Sequence, residues 1–154
     1  RLHGDRRPTT PLNRADGSPY LFTGADNEIW SYGEEIEPIL RDFIMLRERL
    51  RPYVRRIMDE THETGAPVMR PLFYEFPEDE QCWEIEDAYL FGGDVLVAPV
   101  TEPGAREKAV YLPKGARWRS LWTGEFFAGG QTVLVNAPLS VIPAFSREGV
   151  EIFT

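Results

Sequence analysis

Cysteine is almost absent: Cys82 is the one thiol in 154 residues, which excludes an internal disulfide and any cysteine-rich zinc centre. A free thiol of this kind reads as a small buried apolar residue, and it favours a reducing compartment, so a cytoplasmic location is expected. Basic charge is also short, with 17 Lys and Arg against 25 Asp and Glu and a formal net charge of -8. Nucleic acid and anionic membrane surfaces both select basic faces, so neither is expected as a partner, whereas neutral sugars remain compatible. No apolar run reaches the length of a membrane span, and no secretory apolar segment is present. The chain lacks G-x-S-x-G, H-E-x-x-H, C-x-x-C and any phosphate-cradling glycine loop, which removes the commonest nucleophile, metal and nucleotide signatures. An initiator Met is missing too. The opening "RLHGDR" puts a histidine and three charges beside a glycine and looks like the middle of a functional loop.

What is present reads as globular, since 42% apolar and 12% aromatic residues are enough to exclude general disorder. Residues 5–33 hold Pro8, Pro11 and Pro19 and no sustained period, which predicts a long irregular loop of the kind that carries function. From Glu34 the pattern changes. Ile36, Ile39, Leu40, Phe43, Ile44, Leu46, Leu50, Tyr53, Val54, Ile57 and Met58 recur at three- and four-residue steps, predicting an amphipathic helix. Pro52 should kink or split it near Arg51, and Gly65 followed by Pro67 should stop it.

Beyond the helix, strands are predicted at 67–76, 94–100, 108–113, 117–124, 131–138, 140–145 and 150–154, separated by Gly- and Pro-rich turns as in an antiparallel sandwich. A short helix is predicted within 78–92. The chain thus divides into two unlike pieces, with the wide helical stripe too apolar to be left in water.

Candidate chemistry is sparse. The acidic stretch Glu75–Asp87 could suggest paired acid–base carboxylates, but it reads as a solvated turn and helix, as charge runs usually do, and its order is wrong for a calcium loop. His62 falls near the helix C-terminus, where the dipole favours an imidazolium, and reads as structural. Trp118 and Trp122 alternate along one predicted strand, which fits a sandwich core and leaves a sugar-stacking pair open. His3, before Gly4 and a long loop, occupies a position typical of site residues.

Taken together, "RLHGDR", "LRERLRPYV", "ETGAPVMRPLFYEFPED", "YLFGGDVLVAPV", "VYLPKGARWRSLWTG" and "APLSVIPAFSREG" resemble, in order, the C-terminal end of glycoside hydrolase family 31, the family of α-glucosidases and α-xylosidases. The resemblance covers essentially the whole chain. It implies an α+β fragment: residues 1–64 as the last strand end, loop and helix of a (β/α)8 catalytic barrel, and 65–154 as a proximal C-terminal antiparallel β-sandwich. It implies a parent enzyme that cleaves α-linked glucosides or xylosides with retention. Two carboxylates about 5–5.5 Å apart do this through an oxocarbenium-like transition state. Both catalytic Asp motifs lie upstream of the R-x-H-G turn, so no catalytic residue is expected in this chain. The histidine of that turn transfers onto His3, which would hydrogen-bond hydroxyls of the sugar at the cleaved bond. Arg1, Asp5 and Arg6 receive no role. No cofactor or metal is implied, and the partners implied are the oligosaccharide or glycoside substrate and the rest of the barrel. Two alternatives stay open: a bracing sandwich without chemistry, and a carbohydrate-binding module using Trp118, Trp122 or Phe127. Burial of those rings would favour bracing.

Overall fold

The structure is a computed structural model that describes residue 16 and residues 28–152. It divides into two compact units, Arg1–Glu48 and Arg49–Thr154.

In the first unit, a single 3-10 turn at Ile29–Tyr32 ends at Gly33, and α1 follows over Ile36–Arg49. The backbone oxygen of Gly33 accepts the first N–H groups, from Ile36 and Glu37. Pro38 stands in the first turn, where its missing N–H has no helical partner to lose. None of the α1 side chains is fully buried; Ile36, Ile39, Leu40, Phe43 and Leu46 are half-buried, while Ile44 and Met45 are exposed. The helical run is interrupted at Leu50, and α2 occupies Arg51–Thr64 with Pro52 in its first turn. The split expected near Arg51 is therefore present, and its cause is the proline's missing donor. Gly65 closes α2 in the left-handed conformation, its N–H donating to the Thr61 carbonyl at 2.9 Å.

The second unit is built on two antiparallel sheets. Strands β1 (Met69–Arg70), β2 (Tyr89–Phe91), β3 (Val95–Val97), β5 (Arg117–Ser120), β6 (Phe126–Ala128) and β8 (Ala144–Arg147) form one sheet in the order β1-β2-β3-β8-β5-β6. The other pairs β4 (Glu107–Leu112) with β7 (Gln131–Asn136). Val110 and Leu112 of β4 join Leu90, Leu96, Trp118 and Phe145 of the larger sheet in one buried cluster, with Val133 and Val135 of β7 packed against it. The two sheets thus enclose a common core, as the alternation along their strands requires.

The larger sheet is covered on its other face as well. Val95 packs with Tyr53 and Ile57 of α2 and with Ile152, and Phe91, Val97, Leu121 and Val150 complete this second cluster. That explains why β3 reads Val-Leu-Val without polar alternation: Leu96 serves one core and its neighbours the other. Gly92 is required where α2 crosses the β2–β3 turn. It has φ +66, and a Cβ there would lie 2.5 Å from the Tyr53 hydroxyl oxygen and 2.7 Å from Ile57 Cγ2.

Several elements differ from the sequence expectation. The run expected as one strand at 67–76 is the two-residue β1 followed by a single helical turn, α3 (Leu72–Glu75). Pro71 is the reason: it has no N–H for a ladder, and its carbonyl accepts from Tyr74 instead. The helix expected within 78–92 is a 3-10 turn at Glu80–Trp83 and then β2. Pro143 cannot donate, so the last sheet strand begins at Ala144, not within 140–142. Residues 150–152 form no strand and pack as a coil segment beside α2's cluster. The three-residue β6 falls between Gly124 and Gly129 and was not expected.

Candidate functional site

His3 lies outside the described residues. His62 is exposed in the last turn of α2, as expected of a structural histidine there. Trp118 is fully buried, its indole N–H donating to the Pro113 carbonyl at 3.0 Å. Phe127 is half-buried against Phe145, edge-to-face at 5.9 Å. Trp122 stands in the turn after β5, exposed, with its indole N–H on the Ile142 carbonyl at 2.6 Å. These three rings therefore do not form an exposed coplanar pair. Two of them belong to the core.

The acidic stretch is only partly solvated, because two of its carboxylates are structural anchors. The first belongs to an arginine node. Arg70, 3% exposed, donates from Nε to the Pro67 carbonyl at 2.7 Å, from Nη2 to Glu60 of α2 at 2.7 Å, and from Nη1 to Glu75 of α3. Arg147 of β8 reaches the same Glu75 at 3.5 Å and lies over the Phe76 ring at 4.7 Å. Burial alone would weaken the Arg70 charge, yet the two glutamates outweigh it and hold its pKa above the ordinary value. A planar five-donor group is the right choice for joining a helix, a strand and a turn at one buried point.

The second anchor is Asp79, 4% exposed. It accepts from the Tyr111 hydroxyl at 2.8 and 3.0 Å and from the Lys114 backbone N–H at 2.8 Å, with the Lys114 ammonium 3.6 Å away. Burial pushes its carboxyl up, but the Lys114 N–H, the Tyr111 hydroxyl and the Lys114 charge together hold it below the usual carboxylate value. Beside it, burial first and Asp79 second push the Cys82 thiol up to about 12, so it stays protonated and is no nucleophile. Burial and Asp79 likewise raise Tyr111. Tyr53, which donates to the Phe91 carbonyl, is pushed up to about 12 by burial and then by Asp94. Arg70, Asp79, Cys82, Tyr111 and Tyr53 are thus each shifted toward the ordinary resting form, the opposite of what a general acid or base needs.

A depressed carboxyl pKa makes a pH prediction. Asp79 contributes stability that is fully present above its unfolded value of about 3.9 and is lost as pH falls through its lower folded value. Asp79→Asn should cost about 1–2 kcal/mol at neutral pH, because the same donors then meet a neutral acceptor. The deficit should shrink as the pH falls below the ordinary carboxylate range, toward the lowered folded value of Asp79. Thermal melts of both proteins across that range check it; a deficit that stays constant would assign Asp79 no charge-dependent role.

One aromatic feature was not singled out by the sequence. Trp83, at the end of the 3-10 turn, stacks on Phe73 with ring centroids 4.5 Å apart and planes 11° apart. Its indole N–H donates to the Pro77 carbonyl at 3.1 Å. Even so, Trp83 is 56% exposed. Among the described residues no group of three or more His, Cys, Asp or Glu is placed to hold a metal ion, and no helix is long and apolar enough to cross a membrane.

Comparison with known proteins bears directly on this picture. Residues 65–152 match the family model described as the glycosyl hydrolase family 31 C-terminal domain. Alpha-glucosidase 2 of Bacillus thermoamyloliquefaciens is 43% identical over 122 residues, covering 79% of this chain and 15% of its own length. The alpha-xylosidase of Saccharolobus solfataricus is 37% identical over 139 residues, covering 90% of this chain and 18% of its own length. The crystal structure of a GH31 alpha-xylosidase from a soil metagenome, complexed with xylose, superposes with a TM-score of 0.87 at 50% identity. That match covers 94% of this chain and 22% of the other. The chain therefore spans less than a quarter of the length of each of these relatives.

Proposed function

The chain belongs to glycosyl hydrolase family 31, and from that premise we propose that it is the C-terminal part of a retaining α-glycoside hydrolase acting on α-linked glucosides or xylosides. In this reading residues 1–64 finish the catalytic (β/α)8 barrel, the two-sheet unit braces it, and His3 hydrogen-bonds a hydroxyl of the sugar at the cleaved bond. The catalytic carboxylates belong to the barrel upstream. The observation that carries the reading is the match of residues 65–152 to the family's C-terminal domain, joined to relatives named as an alpha-glucosidase and an alpha-xylosidase. In this reading the buried anchors at Arg70 and Asp79 brace the two-sheet unit.

The test compares two proteins. The purified chain should release no nitrophenol from aryl α-glucosides or α-xylosides above buffer, while the gene product carrying the upstream barrel should release it with retention of configuration. Turnover by the 154-residue chain that a substitution within it abolishes would overturn the reading. So would an upstream reading frame without a barrel. A bracing role without any catalytic partner is the second reading, favoured by the burial of Trp118.

A further inference from the structure

A solitary exposed aromatic ring on a protein surface is ordinary and needs no ligand. Trp83 differs in being immobilised and exposed at once. One face of its indole is covered by Phe73, and its polar edge is tied to the Pro77 carbonyl. With one face and the polar edge so engaged, Trp83 is still 56% exposed, which leaves an indole face open to stacking. A ring this restrained has already lost its rotamer freedom, so a ligand stacking on it bears little of that cost.

The turn that carries Trp83 adds a polar group beside the ring. In a 3-10 helix, residues three apart eclipse one another. Over Glu80–Trp83 this sets Asp79 and Cys82 together on the buried side and Glu80 and Trp83 together on the exposed side. Glu80 makes no ion pair among the described residues, so its carboxylate is available to accept hydroxyl protons. An apolar plane with a lateral hydrogen-bond acceptor suits a ligand that has an apolar face and a hydroxyl rim. A pyranose ring presents axial C–H groups on one face and hydroxyls around its edge.

We propose that Trp83, with Glu80, forms a sugar-binding site for neutral α-linked oligosaccharides, separate from the site that His3 would serve. The proposal rests on the carbohydrate reading above. It concerns retention of polymer, not bond cleavage. The indole would stack on the apolar face of one pyranose, and Glu80 would accept from a hydroxyl of the same or the next ring. An acidic partner is excluded by the surrounding Glu80, Glu84 and Glu86.

The experiment is native gel electrophoresis of the 154-residue chain in gels cast with soluble dextran, or with xyloglucan, against gels without polymer. The unaltered chain should be retarded in at least one polymer. Trp83→Ala should weaken the apparent affinity about 5- to 10-fold, and Trp83→Phe, which keeps a ring, should lie between. Glu80→Gln should weaken it about twofold. Trp122→Ala, which alters an exposed indole elsewhere, should be retarded like the parent. Thermal melts of each variant exclude unfolding as the cause, and Trp83→Phe keeps the question decidable where Trp83→Ala does not fold. No retardation of the unaltered chain in either polymer overturns the proposal. Retardation that Trp83→Phe and Trp83→Ala leave unchanged, or that Trp122→Ala reduces equally, overturns it too. Hydrolysis by the barrel-containing protein is read in a separate assay, so retention failing while cleavage succeeds would remove this site alone.

Discussion

Shortened to residues 65–154, the chain should aggregate or lose its cooperative melt, whereas a version keeping residues 49–154 should melt as one unit. The first of these boundaries is the domain limit implied by sequence, and on the helix's apolar stripe alone a start near Thr64 should give the better-behaved protein. The packing of α2 predicts the reverse order. Tyr53 and Ile57 are buried against Val95 and Ile152, with Val68, Phe91 and Val97 around them. Each such side chain contributes about 1.5–3 kcal/mol by leaving water. The Tyr53 hydroxyl adds a bond to the Phe91 carbonyl, worth about 1 kcal/mol net. Removing α2 also leaves Arg70 without Glu60, which is partly exposed, so that loss is small beside the apolar one. The sum, about 5 kcal/mol, is comparable to the whole stability of an ordinary domain. Circular dichroism melts and light scattering of the two shortened proteins check the order. Equal, cooperative melts would show that α2 is dispensable to the sheet.

The same helix shows which parts of the fold were legible beforehand. Its stripe, its interruption at Pro52 and its stop at Gly65 were readable because each rests on a local rule of period, missing donor or positive φ. What the stripe would cover was not readable, because that is a question of tertiary partners. Leu134 on β7 and Trp118 on β5 make the same point. Both occupy apolar-rich strands, yet Leu134 faces water and Trp118 the core, a difference fixed by which sheet face is paired and not by residue type. Short elements failed for another reason. With β1 two residues long and β6 three, neither shows a period at all, and α3 is one turn made by Pro71 out of residues with strand preference.

The proposed sugar contact of His3 rests on family resemblance alone: nothing in the spacing around it names a sugar hydroxyl as its partner, and only the resemblance of the R-x-H-G turn implies one. The anchoring carboxylates Glu75 and Asp79 were missed because a charge inside an acidic run reads as solvated until its donors are seen. Pro77 and Phe76 stand beside Asp79, but composition could not separate them from a surface turn. Trp83 falls within the short helix expected in 78–92; in the structure its turn is 3-10, and Trp83 and Glu80 are both exposed there.

In the barrel-containing protein, His3→Ala should lower kcat/KM about 10- to 1,000-fold, or about 1.4–4 kcal/mol, with the fold intact. The proposed contact is a hydrogen bond between the imidazole and a hydroxyl of the sugar being cleaved. A neutral bond of that kind contributes about 0.5–1.5 kcal/mol, and more when its loss strands a buried hydroxyl without a partner. Contacts to ring hydroxyls strengthen as the sugar flattens toward the oxocarbenium-like state, so the loss should fall on kcat as well as on KM. His3→Asn, which keeps one donor and one acceptor, should recover part of the rate. His62 supplies the comparison, since it is exposed in the last turn of α2 and reads as structural. His62→Ala should leave kcat/KM within about twofold, its cost confined to a few tenths of a kcal/mol of helix stability from the lost dipole partner. Steady-state kinetics of the three variants on an aryl α-glucoside and an aryl α-xyloside, beside thermal melts, decide the matter. Equal, mild effects of His3→Ala and His62→Ala would withdraw the substrate contact from His3 and leave sugar recognition to residues of the barrel upstream.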